Sequence, residues 1–162
     1  MSHRRSLALL LTTKITRSHT TFSIASLAFL LYLVELLSDP TNSTLLDRIV
    51  SPTATYVSLS HSHPNLKRLM PYCGTHTDEG PAAILYTFKT VAELWETEAF
   101  ETEVLFEQGE NVAVFGRFTY RARNTGTVVT SPFGVWARVT QGRVTYMLFM
   151  EGEQSCCDLY FS

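Results

Sequence analysis

Four side chains have the chemistry of a proton-transfer site: Glu151, His76, Tyr56 and Tyr120. Glu151 ends a strand-like run in which Met147 and Phe149 share its face. Burial beside such neighbours favours the neutral form of a carboxyl group, which suits proton transfer near neutral pH. His76 is the second candidate acid or base, because imidazole is a common general acid or base in proteins.

Tyr56 and Tyr120 are candidates to hold a carbonyl or enolate oxygen by hydrogen bonds. Each of the four residues also has a structural interpretation. Glu151 precedes a hydrophilic chain end and would then be solvated at a rim, and His76 would be a cap or loop residue. The tyrosines would be amphipathic wall residues. The sequence leaves both interpretations open.

Metal binding has little support in the sequence. His61 and His63 are two residues apart in a predicted loop, with no third ligand evident. Cys156 and Cys157 are adjacent, and neighbouring cysteines rarely meet the geometry of a disulfide. We therefore predict no metal, no cofactor, and reduced thiols, Cys73 included, in a cytoplasmic protein.

Length and charge restrict the class of protein. The chain has 162 residues, enough for one domain, and 45% of them are hydrophobic. A net charge of -2, without a Lys/Arg cluster in the predicted folded part, argues against nucleic acid binding.

Residues 1–34 carry basic residues and no acid, so 1–18 are predicted to be a disordered or targeting-like extension. The apolar run 22–37 is shorter than the roughly 20 residues of a membrane span, which favours a buried helix.

Periodicity predicts helices first and strands later. Helices are expected at about 20–37, from Asn42 or Ser43 to before Pro52, and from Pro81 through Trp95. A strand at 54–59 and a long loop at 60–80, typical of a lid, lie between them. Strand-like runs at 100–106, 111–123, 127–140 and 143–151 are separated by glycine turns. This order predicts an α+β domain with helices packed on a curved, mostly antiparallel sheet.

Local motifs narrow the fold further. They are Ala54-Thr55-Tyr56, Gly74-Thr75-His76, ENVAVFGRFTY at 110–120, Ser131-Pro132-Phe133, QGRV at 141–144 and Phe149-Met150-Glu151. Together they resemble SnoaL-like members of the nuclear transport factor 2-like (NTF2-like) superfamily. The resemblance implies a cone-shaped domain at 19–153, with about three N-terminal helices and a tail at 154–162. The resemblance is specific for the fold but not for the function, because this fold hosts isomerases, dehydratases, cyclases and non-catalytic partners alike.

The resemblance also implies a pocket between the inner face of the sheet and the helices. Strand alternation places Phe118 and Tyr120 on the inner face, and Arg117 and Arg121 on the outer one. By this logic we predict these substrate-binding residues on the strands: Ser58, Phe118, Phe133, Val135, Met147 and Phe149. Trp95 is added from the predicted third helix, where it is a candidate wall residue or part of the core.

Known catalytic patterns of this superfamily do not map onto the chain. The position of the ketosteroid isomerase base matches Ser58, and its oxyanion-hole acid falls near Phe133. In an alignment without gaps, the arginine and two aspartates of limonene epoxide hydrolase fall on Gly116, Phe118 and Phe149. A shift of one residue in the third strand puts Arg117 at the arginine position but Thr119 at an aspartate, so the triad is absent either way. The sequence thus argues against both specific chemistries.

Two functions stay open at this stage. The first is a cofactor-independent isomerase, cyclase or dehydratase acting on a bulky apolar metabolite of polyketide or terpenoid metabolism. The second is a non-catalytic dimerisation or ligand-binding module. In both cases we expect a homodimer, because the outer face of the sheet carries Phe115 and other large residues.

Overall fold

Three helices and six strands make up the part of the chain that the computed structural model describes, residues 32–59 and 70–152. Helix α1 covers residues 32–38 within that part, and α2 and α3 cover Ser43–Ile49 and Pro81–Leu94. The strands are β1 (Val50–Ser58), β2 (Gly74–His76), β3 (Trp95–Gln108), β4 (Asn111–Ala122), β5 (Val128–Thr140) and β6 (Arg143–Glu151). The predicted α+β class is confirmed.

Helix α2 begins and ends through local interactions. The side chain of Asn42 accepts a hydrogen bond from the amide of Leu45 at 3.0 Å, so Asn42 is the N-cap. The helix ends at Ile49, because Val50 already has extended backbone angles. Strand β1 therefore begins four residues before the predicted position 54, and Pro52 lies inside it.

The predicted loop at 60–80 contains a short strand. Strand β2 pairs antiparallel with β1, and His76 lies opposite Tyr56. Three residues are too few to produce a readable alternation, which is why the sequence did not reveal this strand. Residues 60–69 lie outside the described part of the chain, as do 1–31 and 153–162. The predicted extension and tail lie wholly within those ranges, and the predicted lid lies partly within them.

The six strands form one sheet in the order β2-β1-β6-β5-β4-β3. Neighbouring strands are antiparallel except β1 and β6, which are parallel and bring Ser58 beside Phe149. Trp95 was predicted to belong to the last helix, and this is wrong. It has extended backbone angles and begins β3, opposite Ala122 of β4. Its spacing from Val91 fits a helix, but strand pairing with β4 overrides that local pattern.

The two faces of the sheet differ in polarity. Phe118 and Tyr120 are buried on the inner face, against the helices, as the alternation predicts. Arg117 and Arg121 are on the outer face, where the Arg117 Nε lies 2.6 Å from a carboxylate oxygen of Glu103. Within the described residues, no helix has the length and apolar character needed to cross a membrane.

Candidate active site in an apolar pocket

An apolar pocket lies between helix α3 and the inner face of the sheet. It contains about 520 Å³ of empty space, including the solvent at its open mouth. The lining residues are Tyr56, Ser58, Leu59, Tyr72, Thr87, Phe88, Val91, Trp95, Phe118, Tyr120, Val129, Phe149 and Glu151. A concave site with mostly apolar walls and few polar groups is typical of small-molecule binding.

Aromatic rings form most of the pocket wall and contact one another. Phe118 and Tyr120, two positions apart on β4, stack with ring centroids 4.3 Å apart. Trp95 lies 6.3 Å from Tyr120, centroid to centroid. Phe88 of α3 meets Phe149 of β6 edge to face at 5.9 Å. These mutual contacts hold the rings in place and preform a surface for a flat apolar ligand.

Glu151 supplies the carboxyl group of this pocket. It is the last residue of β6, it is half-buried, and it pairs in register with Phe133 of β5. Its negative charge raises the pKa values of Tyr56 and Tyr120, in each case after burial as the larger cause. The carboxyl group therefore lies close enough to both tyrosines for its charge to act on them.

Both tyrosines stay protonated at neutral pH. Burial raises the pKa of Tyr56 far above its ordinary value, although the nearby Ser58 side chain offsets part of the shift. The Tyr56 hydroxyl has no hydrogen-bond partner of good geometry among the described residues. A buried phenol without a partner is a hydrogen-bond donor available to a ligand oxygen.

The comparisons with known proteins agree with this fold. Residues 42–147 match the SnoaL-like domain family. The chain belongs to that family. This SnoaL-like domain is 38% identical over 109 residues to patulin synthesis protein F of Aspergillus clavatus, covering 67% of the chain and 55% of that protein. It spans about half the length of the curated relatives it matches.

Solved structures share the fold of this SnoaL-like domain at low sequence identity. An NTF2-like protein from Burkholderia pseudomallei superposes with a TM-score of 0.68 at 16% identity, covering 87% of this chain and all (100%) of that one. TerC, co-crystallised with polyporic acid, superposes with a TM-score of 0.63 at 20% identity, covering 85% and 99%. The expected resemblance to SnoaL-like and NTF2-like proteins is confirmed.

His76 lies beside the pocket of the SnoaL-like domain and not in its lining. Its ring stacks on Tyr56 at 6.2 Å between centroids. One ring nitrogen lies 3.1 Å from the carbonyl oxygen of Tyr72, and the other lies 3.4 Å from a carboxylate oxygen of Glu79. His76 therefore contacts the pocket residue Tyr56 without lining the pocket itself, and its contacts with Tyr72 and Glu79 orient the imidazole ring.

The other predicted residues divide between the pocket and the core. Ser58, Trp95, Phe118 and Phe149 line the pocket with the two tyrosines and Glu151. The remaining three are buried elsewhere in the core and do not line it: Phe133, Val135 and Met147. Alternation identifies the buried face of a strand, but it does not distinguish a pocket wall from solid core.

Several wall residues were not predicted from the sequence, and Thr87 is the most informative of them. It lies on α3 between Ile84, Phe88 and Val91, at the spacing of one helix face. A threonine on an otherwise apolar helix face is the signal that could have revealed it. Across the described residues, no group of His, Cys, Asp and Glu is arranged to hold a metal ion. His61, His63, Cys156 and Cys157 lie outside those residues.

The buried thiol of Cys73 leads to a prediction about alkaline pH. Burial, followed by the charge of Glu151, raises the pKa of Cys73 to about 12. The unfolded chain releases this proton at lower pH than the folded one, so the free energy of unfolding should fall as pH rises from about 9 towards 12. One such proton contributes at most about 1.4 kcal/mol per pH unit.

Urea unfolding between pH 8 and 11 measures this slope. We expect a shallower decline in Cys73→Ala than in the unsubstituted protein, since only the latter has the buried thiol. The two tyrosines contribute equally to both proteins and cancel in the comparison. Equal slopes would contradict the prediction.

Proposed function

We propose that this SnoaL-like domain is a cofactor-independent enzyme that isomerises, cyclises or dehydrates a bulky apolar metabolite by acid–base catalysis. The observation that carries the proposal is Glu151, a carboxyl group in a largely aromatic pocket that also contains three buried tyrosines, among them Tyr56 and Tyr120. The likeness to patulin synthesis protein F supports a role in secondary metabolism of the polyketide or terpenoid kind. We place the reaction in the cytoplasm, where the free thiol of Cys73 stays reduced.

Each of these reactions can begin with the same proton transfer. Glu151 takes a proton from the carbon next to a substrate carbonyl, and the C–H electron pair moves towards the carbonyl to give an enolate. Tyr56 and Tyr120 donate hydrogen bonds to the enolate oxygen, where negative charge develops. In an isomerisation the proton returns from Glu151 to a different carbon, so no external reagent is consumed.

A panel of neutral cyclic ketones, enones and epoxides distinguishes a catalytic domain from a non-catalytic ligand-binding module. Binding is followed by calorimetry and conversion by mass spectrometry and NMR. Conversion of one member supports the enzyme. Binding of several members without conversion would make a ligand-binding module the better description of the pocket.

The outer face of the sheet supports a homodimer, which we include in the proposal. Phe115 and Met150 are 44% and 40% exposed, and they meet across Gly134 on neighbouring strands. Phe106, 51% exposed, lies 6.2 Å from Phe115, ring to ring. A contiguous apolar patch of this kind is typical of a surface covered by a second copy.

Sedimentation tests the dimer. The protein is expected to sediment at twice the 18.3 kDa chain mass, and Phe115→Glu at the mass of one chain. Tyr86→Glu, at an equally exposed aromatic residue on α3, is the matched control and should remain a dimer. An unsubstituted protein that sediments as a single chain would refute the proposal.

A further inference from the structure

The hydroxyl of Thr87 is buried and has no partner among the described residues. The residue is 2% exposed and lies in the pocket wall. Hydroxyl groups inside helices usually bond to the carbonyl oxygen four residues earlier, as Thr90 does to Tyr86 and Ser38 to Val34, both at 2.9 Å. Thr87 does not use this bond, so its donor is left for something inside the pocket.

A second hydroxyl of the same pocket, that of Tyr56, lies near the Ser58 side chain but makes no hydrogen bond of good geometry with it. Tyr56 is 1% exposed. Leaving a buried hydroxyl unpaired destabilises a protein, and such groups in native structures call for an explanation. Two of them in the wall of one apolar pocket, on α3 and on β1, indicate a bound molecule with an oxygen acceptor.

The charge of the pocket indicates what kind of oxygen this is. Among the described lining residues the one ionisable carboxyl belongs to Glu151, and there is no Lys, Arg or His. Glu151 carries the negative charge of the pocket, and after burial that charge also raises the pKa values of Tyr56 and Tyr120. A carboxylate or phosphate ligand would therefore be repelled, and an uncharged carbonyl oxygen would not.

We propose that Thr87 is a substrate-binding residue whose hydroxyl donates a hydrogen bond to the carbonyl oxygen of a neutral cyclic ketone or enone. Tyr56 provides the second donor of this oxygen site. The aromatic wall of Phe118 and Phe149 accommodates the ring system. This role of Thr87 rests on the proposed function only in using the same pocket as the ligand site. It concerns ligand binding and requires no turnover.

Three probes with one carbon skeleton test this proposal: 1-tetralone, tetralin and tetralin-1-carboxylate. Trp136→Phe leaves Trp95 of the pocket as the single tryptophan, so its fluorescence reports binding. Thr87→Val in that background keeps the shape and removes the hydroxyl. Thr90→Val is the matched control, since that hydroxyl bonds to the backbone of its own helix.

Thr87→Val is expected to weaken 1-tetralone binding by about three- to tenfold and to leave tetralin binding unchanged. Thr90→Val should change neither affinity, and the carboxylate should bind more weakly than the ketone to every protein. Equal effects of Thr87→Val on ketone and hydrocarbon, no effect on either, or no ketone binding by the parent would overturn the proposal. Loss of turnover in Glu151→Gln with an unaffected Thr87→Val would leave the enzyme standing and refute only this inference.

Discussion

Glu151→Gln is expected to reduce turnover by about 10²- to 10⁴-fold, the range that a positioned acid or base contributes. Glutamine keeps the shape of the side chain and one acceptor oxygen, but it cannot take up the proton. Glu151 is half-buried at the end of β6 and lies in the pocket wall. Ligand affinity and thermal stability should therefore change little.

Exchange of carbon-bound hydrogen measures this effect without knowledge of the product. Neutral ketones that bind are incubated with the protein in D₂O, and loss of the hydrogens next to the carbonyl is followed by NMR. Glu110→Gln, at an exposed position of the β3–β4 turn, is the control and should exchange at the unsubstituted rate. Undiminished exchange in Glu151→Gln would remove Glu151 from the mechanism.

Gly116→Ala is expected to destabilise the domain by about 3 kcal/mol or more, the upper range of overpacking. A Cβ at this inner position of β4 would lie 2.0 Å from the carbonyl oxygen of Glu101 and 2.7 Å from the ring of Phe133. The first contact is with the backbone of β3, so no change of rotamer relieves it. The second pushes a ring that stacks on Phe149 of the pocket wall.

Urea unfolding measures the loss, and Gly134→Ala is the matched control. Gly134 also lies in the middle of a strand, but its added Cβ would meet only flexible side-chain atoms, the nearest at 3.2 Å from Phe115. We expect Gly134→Ala to cost about 1 kcal/mol or less. A similar loss in both variants would contradict the steric argument at Gly116.

Several elements could be predicted from the sequence because their signals are local. Helix α3 begins at Pro81 as predicted, since proline fits the first turn of a helix. Strand β6 has its predicted bounds, and β4 and β5 differ from theirs by one residue, because glycine turns separate them. The start of β3 at Trp95 was missed, since it depends on pairing with Ala122, a contact distant in sequence.

The candidate site was predictable only in part, for a related reason. Tyr56, Tyr120, Glu151 and the aromatic wall residues face inward by strand alternation, and the pocket does bring them together. Phe133 has the same alternation but is covered by Phe100, whose ring stacks on it at 4.6 Å. Whether an inward-facing residue lines the pocket or belongs to the solid core depends on whether a side chain from a neighbouring element packs over it.

By itself the sequence determined the α+β class, the helix and strand periods, and the inner and outer faces of the sheet. These properties follow from side-chain periods of two residues in a strand and 3.6 residues in a helix. Each segment shows its period in its own pattern of apolar residues, without reference to the rest of the chain. Only the tertiary structure decided where the pocket opens. The parallel pairing of β1 with β6 joins residues about ninety positions apart, and α3 lies across them. That packing leaves the hydroxyl of Thr87 unpaired in the pocket that Glu151 also lines.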